Sequence, residues 1–237
     1  MNKELAIVMP VYNEEMGIEQ VIQDWQNVLP ENIFDLIVIN DGSKDKTQLV
    51  ISKLQSKFKN LIIINKINEG HGKAICNGYK YAVKNEYNYI FQTDSDGQFF
   101  PSDFSKIWKN RDKINCDIIL GDRFKRNDPF LRVFLSKVVL RNLLKIFFKK
   151  NVIDPNIPYR LMSSKFVENF LKIEPQKYIA PNIIMSLHAK SVYFIKVKHA
   201  ERRYGEVKWP LKKLIKFGFI LLRDLKDYFF QSKKNVK

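Results

Sequence analysis

The sequence predicts an α/β protein built on a mostly parallel, twisted sheet with helices on both faces. Short apolar runs alternate with amphipathic stretches through the first half of the chain, the pattern of repeated strand–helix–strand units. The apolar runs are continuous rather than alternating, as expected for strands that are buried on both faces. Turn-forming glycine, asparagine and aspartate residues follow several of the runs.

Five apolar runs in the first half are predicted to be strands. They cover residues 5–9, 34–39, 61–65, 87–93 and 117–121. The predicted helices cover residues 14–28, a stretch from Ser43 or Asp45 to about residue 58, a stretch from the loop at 68–73 to about residue 85, and a stretch that starts at Pro101. A helix over 181–190 and a strand over 192–197 are predicted further along.

The composition indicates a globular protein with an anionic partner. The 237 residues are 45% hydrophobic, enough to bury a large core, and they carry a net charge of +16. This charge predicts binding to nucleotide phosphates, an acidic lipid surface or nucleic acid. Two cysteines without a Cys-x-x-Cys pair predict reduced thiols in the cytosol. We expect neither a signal peptide nor a membrane span, because no apolar stretch is long enough.

Polar residues cluster directly after four of the predicted strands. Ligands of parallel α/β sheets bind beyond the carboxyl ends of the strands, so we expect these clusters to meet at one edge of the sheet. The clusters are Tyr12 with Glu14, Asp41, Asp94 with Asp96, and Asp122 with Arg123.

The stretch at 90–98 has the composition of a divalent-metal site. Asp94 and Asp96 lie two residues apart after a strand, so both carboxylates can point to the same side. Such hard oxygen ligands suit Mg²⁺ or Mn²⁺, and Gln98 offers a further neutral oxygen. The alternative is an ordinary acidic turn that binds nothing, since Asp, Ser and Gly are common turn formers.

Five motifs, in their order and rough spacing, resemble those of family-2 glycosyltransferases. They are MPVYNEE at 9–15, INDGSKDKT at 39–47, NEGHGKA at 68–74, DSDGQ at 94–98 and GDR at 121–123. The closest subgroup looks like the dolichol- and polyprenyl-phosphate sugar synthases. The resemblance is strong over roughly the first 125 residues and looser beyond them. It implies the GT-A fold, with a nucleotide-sugar-binding half at 1–125, an acceptor-side part at 126–205 and a basic amphipathic helical tail at 206–237.

The resemblance also implies roles for residues that would bind the sugar donor. Pro10, Tyr12 and Glu14 would hold the base and ribose of a UDP- or GDP-linked sugar, and Asp41 would contact its base or sugar. Asp94, Asp96 and Gln98 would hold Mg²⁺ or Mn²⁺ against the diphosphate. Further donor-binding candidates are the basic residues Lys73, Arg123, Arg132 and Arg202.

The catalytic candidates are Asp96, Arg123 and Asp154. Arg123 would stabilise the departing nucleotide, because a guanidinium grips phosphate oxygens in a bidentate manner. A purely structural Arg123 and a solvated Lys73 are the alternatives for those two residues. Asp154 belongs to DPNIPYR at 154–160, which is similar to an acceptor-side element of the family but has Pro158 where glycine is common. Asp154 is either a general base or a residue that orders this loop.

Two basic segments predict contact with an anionic membrane. Residues 129–150 contain six basic residues and no acidic one, and residues 206–237 contain nine basic and three acidic residues. Both segments are also rich in apolar residues, which is typical of helices that lie in a membrane interface. The alternative is a helix packed on the sheet with a solvated basic stripe.

The residues and the resemblance together predict a cytoplasmic enzyme on the inner face of a membrane. It would transfer a sugar, with inversion, from a nucleoside-diphosphate sugar to a polyprenyl phosphate. A related enzyme that transfers to a sugar hydroxyl of a lipid-linked glycan is the alternative, and a separate membrane protein is a further expected partner. A catalytically inactive nucleotide-binding relative is a third possibility. Nucleic acid is not expected, because no motif that reads RNA or DNA is present.

Overall fold

The computed structural model describes residues 4–111, 116–123, 140–150, 152–154, 156–202 and 211–234. Within these residues the chain forms one seven-stranded sheet with the strand order β3-β2-β1-β4-β6-β5-β7. The strands are β1 Leu5–Val11, β2 Phe34–Asp41, β3 Leu61–Lys66, β4 Tyr89–Gln92, β5 Ile118–Arg123, β6 Arg160–Ser163 and β7 Val192–Val197. Strand β6 runs antiparallel to both of its neighbours, and the other pairs are parallel.

Eight α-helices accompany the sheet in the described part of the chain. They are α1 Ile18–Gln26, α2 Thr47–Gln55, α3 His71–Lys84, α4 Pro101–Asn110, α5 Arg141–Phe148, α6 Ser164–Leu171, α7 Pro181–His188 and α8 Leu211–Lys234. A short 3₁₀ helix covers Pro175–Lys177. None of the helices in these ranges is both long enough and apolar enough to span a bilayer.

The central strands are buried because helices cover both sheet faces. On one face, Gly78 of α3 lies against Val8 of β1, and the Tyr79 hydroxyl donates to Oε1 of Gln92 at 2.6 Å. On the opposite face, Phe91 packs against Trp25 of α1 at 5.5 Å between ring centroids. Since Phe91 and Gln92 are consecutive in β4, their side chains point to opposite faces of the sheet. Every residue of β1 and β2 is buried as a result.

The predicted α/β fold is confirmed, including all five strands of the first half, the helix that starts at Pro101 and the strand at 192–197. The first helix begins at Ile18 rather than at residue 14, and residues 15–17 form turns before it. Strand β6 was not predicted. Its four residues begin with a charged arginine and show no apolar run, so only its pairing with β4 and β5 identifies it as a strand.

The C-terminal helix α8 packs against the rest of the protein along one face. Leu221, Leu225 and Tyr228 are buried, and the buried carboxylate of Asp224 accepts a 2.7 Å hydrogen bond from the backbone N–H of Ile179. The predicted helical tail is therefore a helix over 211–234. The first half of the predicted basic helix at 129–150, residues 129–139, lies outside the described residues.

The close approach of α3 to β1 gives a stability prediction. A Cβ atom at Gly78 would lie 2.3 Å from Cγ1 of the buried Val8, a stiff β-branched side chain that has little room to move. We expect Gly78→Ala to lower the free energy of unfolding by about 1–3 kcal/mol in urea denaturation, as overpacked cores do.

Gly218→Ala in α8 is the matched control, because an added Cβ would have no atom of the described residues within 4 Å, apart from its chain neighbours and the backbone of its own helix. This substitution should be neutral or stabilising by about 0.5–1 kcal/mol, owing to the better helix propensity of alanine. Equal free energies of unfolding for the two variants would contradict the packing argument.

Candidate functional site

A cleft of about 340 Å³ opens beyond the carboxyl ends of β1, β2 and β4. Its walls combine main-chain turns with a few charged side chains. It is lined by Pro10, Val11, Tyr12, Glu14, Asp41, Asn68, Gly70, His71, Ala74, Asp94, Ser95, Asp96 and Arg202. Three of the four polar clusters predicted to meet at this edge of the sheet do so, which confirms the edge as the place where polar groups converge.

The loop after β1 is held in place by the loop after β2. The backbone N–H of Asn13 donates to the Ser43 hydroxyl at 3.0 Å, and the side chain of Asn13 accepts from the N–H of Lys44 at 2.8 Å. The N–H of Glu14 donates to the Thr47 hydroxyl at 2.8 Å. These bonds tie together two loops about 30 residues apart in sequence and fix the wall that carries Tyr12 and Glu14.

Asp41, at the end of β2, organises the floor of the cleft. Its carboxylate accepts hydrogen bonds from the Lys66 ammonium at 2.6 Å and from the N–H groups of Glu69 and Gly70 at 3.0 and 2.8 Å. The next residue, Gly42, has a φ of +68°, and an added Cβ would meet the nitrogen of Asn68 at 2.6 Å. Asp41 therefore shapes the loop that opens α3 as well as lining the cleft.

Asp94 and Asp96 bring two carboxylates into the cleft. Burial, reinforced by the charge of Asp96, raises the pKa of Asp94 to about 8, and burial also raises the pKa of Asp96. Within the described part of the chain, Oδ1 of Asp94 is buried and accepts no hydrogen bond, and Nε2 of His71 lies 3.6 Å from it.

The donor chemistry of this acidic pair fits a divalent cation. Mg²⁺ and Mn²⁺ take carboxylate oxygens, and Mg²⁺ commonly uses one or two carboxylates together with substrate phosphates rather than a complete protein cage. The unsatisfied Oδ1 of Asp94 is the observation that favours such an ion. Among the described residues, no group of three or more His, Cys, Asp or Glu side chains is arranged to hold a metal. Substrate oxygens would have to complete the coordination.

Arg202 reaches the cleft from the loop after β7. Its guanidinium forms an ion pair with the Glu14 carboxylate. Burial raises the pKa of Glu14 to about 7, although Arg202 opposes this shift. The loop itself is attached to the acidic turn, because Nε2 of Gln98 donates to the Ala200 carbonyl at 3.1 Å and the Ala200 N–H donates to the Gln98 carbonyl at 2.9 Å.

Arg123 and Asp154 form a buried ion pair beside the cleft. Both Nε and an η nitrogen of Arg123 donate to Oδ2 of Asp154, at 2.7 and 2.6 Å. Neither residue lines the cleft, although the charge of Arg123 partly offsets the rise in the pKa of Asp94. The Asp154 carboxylate is committed to this pair, an arrangement that favours the role of ordering the loop over that of a general base.

Besides Arg123 and Asp154, two predicted site residues do not line the cleft, and a third lies outside the described residues. Lys73 is half-exposed and pairs with Glu69 at 3.2 Å, which fits the solvated alternative. The side chain of Gln98 lies outside the lining and holds the loop of Arg202 instead. Arg132 lies outside the described residues. The binding roles predicted for these residues stay predictions.

The sequence analysis missed Arg160, the first residue of β6. Its side chain is completely buried, and its guanidinium donates to the carbonyls of Ile157 and Asn182. Its charge also partly offsets the rise in the pKa of Asp94 that burial causes. The arginine that ends DPNIPYR is the available signal, but only tertiary structure shows that it lies next to the acidic pair.

Comparison with known proteins identifies the family. Residues 6–169 match the model of glycosyl transferase family 2. An uncharacterized protein of Methanocaldococcus jannaschii is 28% identical over 91% of this chain and 100% of its own length. The undecaprenyl-phosphate 4-deoxy-4-formamido-L-arabinose transferase of Photorhabdus laumondii is 27% identical over 93% of this chain and 67% of its own length. The enzyme of the same name from Proteus mirabilis is 25% identical.

Solved structures share the fold. Glucosyl-3-phosphoglycerate synthase from Mycobacterium tuberculosis in complex with UDP aligns with a TM-score of 0.67 and 16% identity, over 96% of this chain and 80% of that one. The same enzyme with Mn²⁺, UDP and glucosyl-3-phosphoglycerate aligns with a TM-score of 0.66. The chain has the GT-A fold and belongs to glycosyl transferase family 2, as a glycosyltransferase related to polyprenyl-phosphate sugar transferases.

Proposed function

We propose that this glycosyltransferase moves a sugar from a nucleoside-diphosphate sugar to a polyprenyl phosphate at a membrane surface, with Mg²⁺ or Mn²⁺. The observation that carries the proposal is the cleft in which Asp94 and Asp96 face Arg202, beside Tyr12 and Asp41. Such a site offers an aromatic ring, cation ligands and a guanidinium, which are the groups that a nucleoside diphosphate requires.

Two comparisons support the choice of substrates. The relatives from Photorhabdus and Proteus are named as transferases that act with undecaprenyl phosphate. The structural neighbour from M. tuberculosis is described with UDP and, in one complex, with Mn²⁺. We infer a donor of the same general class for this chain, linked to UDP or GDP.

In the proposed reaction the donor lies with its base near Pro10 and Tyr12 and its diphosphate near Arg202. An oxygen of the acceptor phosphate attacks the anomeric carbon while the bond from that carbon to the donor diphosphate breaks. The attack comes from the side opposite to the leaving diphosphate, so the anomeric centre is inverted, and the bonding electrons leave with the nucleoside diphosphate. Asp94 and Asp96 would hold the cation, which supplies positive charge to the leaving diphosphate.

Arg202 has a particular role in this reaction. In the structure its guanidinium pairs with Glu14, whose pKa burial raises to about 7. A bound diphosphate competes for this guanidinium, and protonation of Glu14 would release it. Arg202 then contributes a charge-assisted hydrogen bond to the leaving group. Arg123 is paired with Asp154 outside the cleft, and its positive charge stabilises the leaving diphosphate from there.

The ion pair between Asp154 and Arg123 favours a polyprenyl phosphate as the acceptor. A phosphate is already ionised at neutral pH and needs no general base. The carboxylate of Asp154, which belongs to the acceptor-side segment at 154–160, is paired with Arg123 instead of being available to take a proton. The second candidate function, transfer to a sugar hydroxyl, would require Asp154 to leave that pair and act as a base.

The membrane location has its own structural support. The proposed acceptor is a lipid. The described parts of both basic segments form helices with exposed apolar side chains, including Phe147 of α5 and Phe219 of α8. We therefore propose a peripheral enzyme on the cytoplasmic face of a membrane. A separate membrane protein is a further candidate partner.

The donor site is tested by thermal shift with UDP or GDP, with and without Mn²⁺. At about 100 times its Kd, the correct nucleotide should add about 2.7 kcal/mol to the free energy of unfolding and raise the Tm. We expect this gain to need the metal and to disappear in Asp96→Ala. Asp227→Ala, an exposed residue of α8, should keep the full gain. Metal-dependent stabilisation that persists in Asp96→Ala would refute the assignment of the acidic pair.

The choice of acceptor is tested with Asp154→Asn. The variant should lose about 1–3 kcal/mol of stability, since the buried Arg123 loses its carboxylate partner. Transfer of labelled sugar to polyprenyl phosphate, measured at a temperature where the variant is folded, should stay within about tenfold of wild type, because one positioned general base contributes about 10²–10⁴-fold. Abolished turnover with intact nucleotide binding would favour the sugar-hydroxyl acceptor instead.

A further inference from the structure

The C-terminal helix α8 exposes four large apolar side chains along one side, with the exposed Lys226 among them. Ile215, Phe219, Leu222 and Phe230 are 51%, 71%, 51% and 55% exposed, and we call these four residues the apolar stripe. At 100° per residue their positions fall within an arc of about 80° on one side of the helix. Exposed apolar side chains that are grouped in this way indicate an interaction surface, whereas single ones are common on any protein.

The opposite side of the same helix is fixed to the protein. Leu221, Leu225 and Tyr228 are buried, and the Asp224 carboxylate accepts from the N–H of Ile179. Gln231 accepts a 2.9 Å hydrogen bond from the Tyr178 hydroxyl. Because these contacts determine the rotation of α8 about its axis, the apolar stripe points away from the body of the protein.

Helix α5 lies beside α8 and extends the exposed surface. Phe148 stacks on Tyr228 at 6.0 Å and meets Phe229 edge-on at 5.6 Å, and its neighbours Ile146 and Phe147 are 70% and 60% exposed. Of the eleven large hydrophobic residues exposed in the described part of the chain, six lie on these two helices. The exposed apolar area is therefore concentrated on one pair of helices.

Basic side chains accompany the apolar ones. Lys216, Arg223 and Lys226 of α8 are exposed, and Lys145 and Lys149 are exposed on α5. Of the two carboxylates on α8, Asp224 is buried against Ile179, and only Asp227 is exposed. The surface thus combines apolar insertion with positive charge, which complements the head groups of anionic lipids.

We propose that the apolar stripe, together with Ile146 and Phe147, enters the head-group region of an anionic bilayer and anchors the enzyme there. The proposal deepens the membrane-surface reaction proposed above by naming the anchoring residues. A second copy of the chain is a poorer partner, since pairing two such faces would bring the basic residues of both copies together. Bilayer binding itself requires neither donor nor acceptor.

The test is flotation with vesicles of phosphatidylglycerol and phosphatidylcholine in equal parts, against pure phosphatidylcholine. Wild type should bind the anionic vesicles, and binding should weaken with added salt. Phe219→Ser with Leu222→Ser should weaken binding by about tenfold or more, because two inserted apolar side chains are lost. The Tm should not fall, since both side chains are exposed.

Leu49→Ser is the matched control, because Leu49 of α2 is 54% exposed and lies outside this surface. It should bind vesicles as wild type does. Equal vesicle binding by the stripe variant and the control would overturn the proposal. A wild-type dimer that ignores vesicles and dissociates in the stripe variant would also overturn it. Nucleotide-induced thermal shifts, measured on the same variants, separate this outcome from failure of the donor site.

Discussion

The cleft holds two carboxylates close together where they are partly shielded from water, and the surrounding structure has to offset the electrostatic cost of this arrangement. Asp94 and Asp96 repel one another and lose hydration, and burial raises the pKa of both. The positive charges of Arg123, Arg160 and Arg202 oppose this cost at Asp94. A cation bound by the two carboxylates would oppose it further.

The surrounding elements serve to position this pair and the groups that face it. Two loops that follow neighbouring strands are tied together by the N–H groups of Asn13 and Glu14, which donate to side-chain hydroxyls and so hold the cleft wall in place. The reversed strand β6 inserts Arg160 behind the acidic pair. The side chain of Gln98 donates to the Ala200 carbonyl and so attaches the acidic turn at 94–98 to the loop that carries Arg202.

The C-terminal helix gives the molecule a second functional side. Its inner face is held by Asp224 and Tyr228, whereas its outer face presents the apolar stripe. The same segment that α8 holds, at 178–182, packs against the start of α3, where an added Cβ at Gly72 would lie 2.8 Å from Pro181. The proposed membrane surface and the cleft are therefore connected through a short, packed stretch of chain.

The parallel core, the family and the acidic pair could be predicted from the residues alone, because apolar runs and short motifs are local signals. The sheet edge that gathers Tyr12, Asp41 and Asp94 followed from the rule for parallel strands, and the cleft confirms it. The pairing of Asp154 with Arg123 and the strand β6 could be recognised only from the folded chain. Tertiary contacts also determine that the side chain of Gln98 bonds to Ala200 and that the apolar stripe of α8 faces outward. Ion pairs, antiparallel pairing and helix rotation depend on partners distant in the chain, which no local pattern of residues encodes.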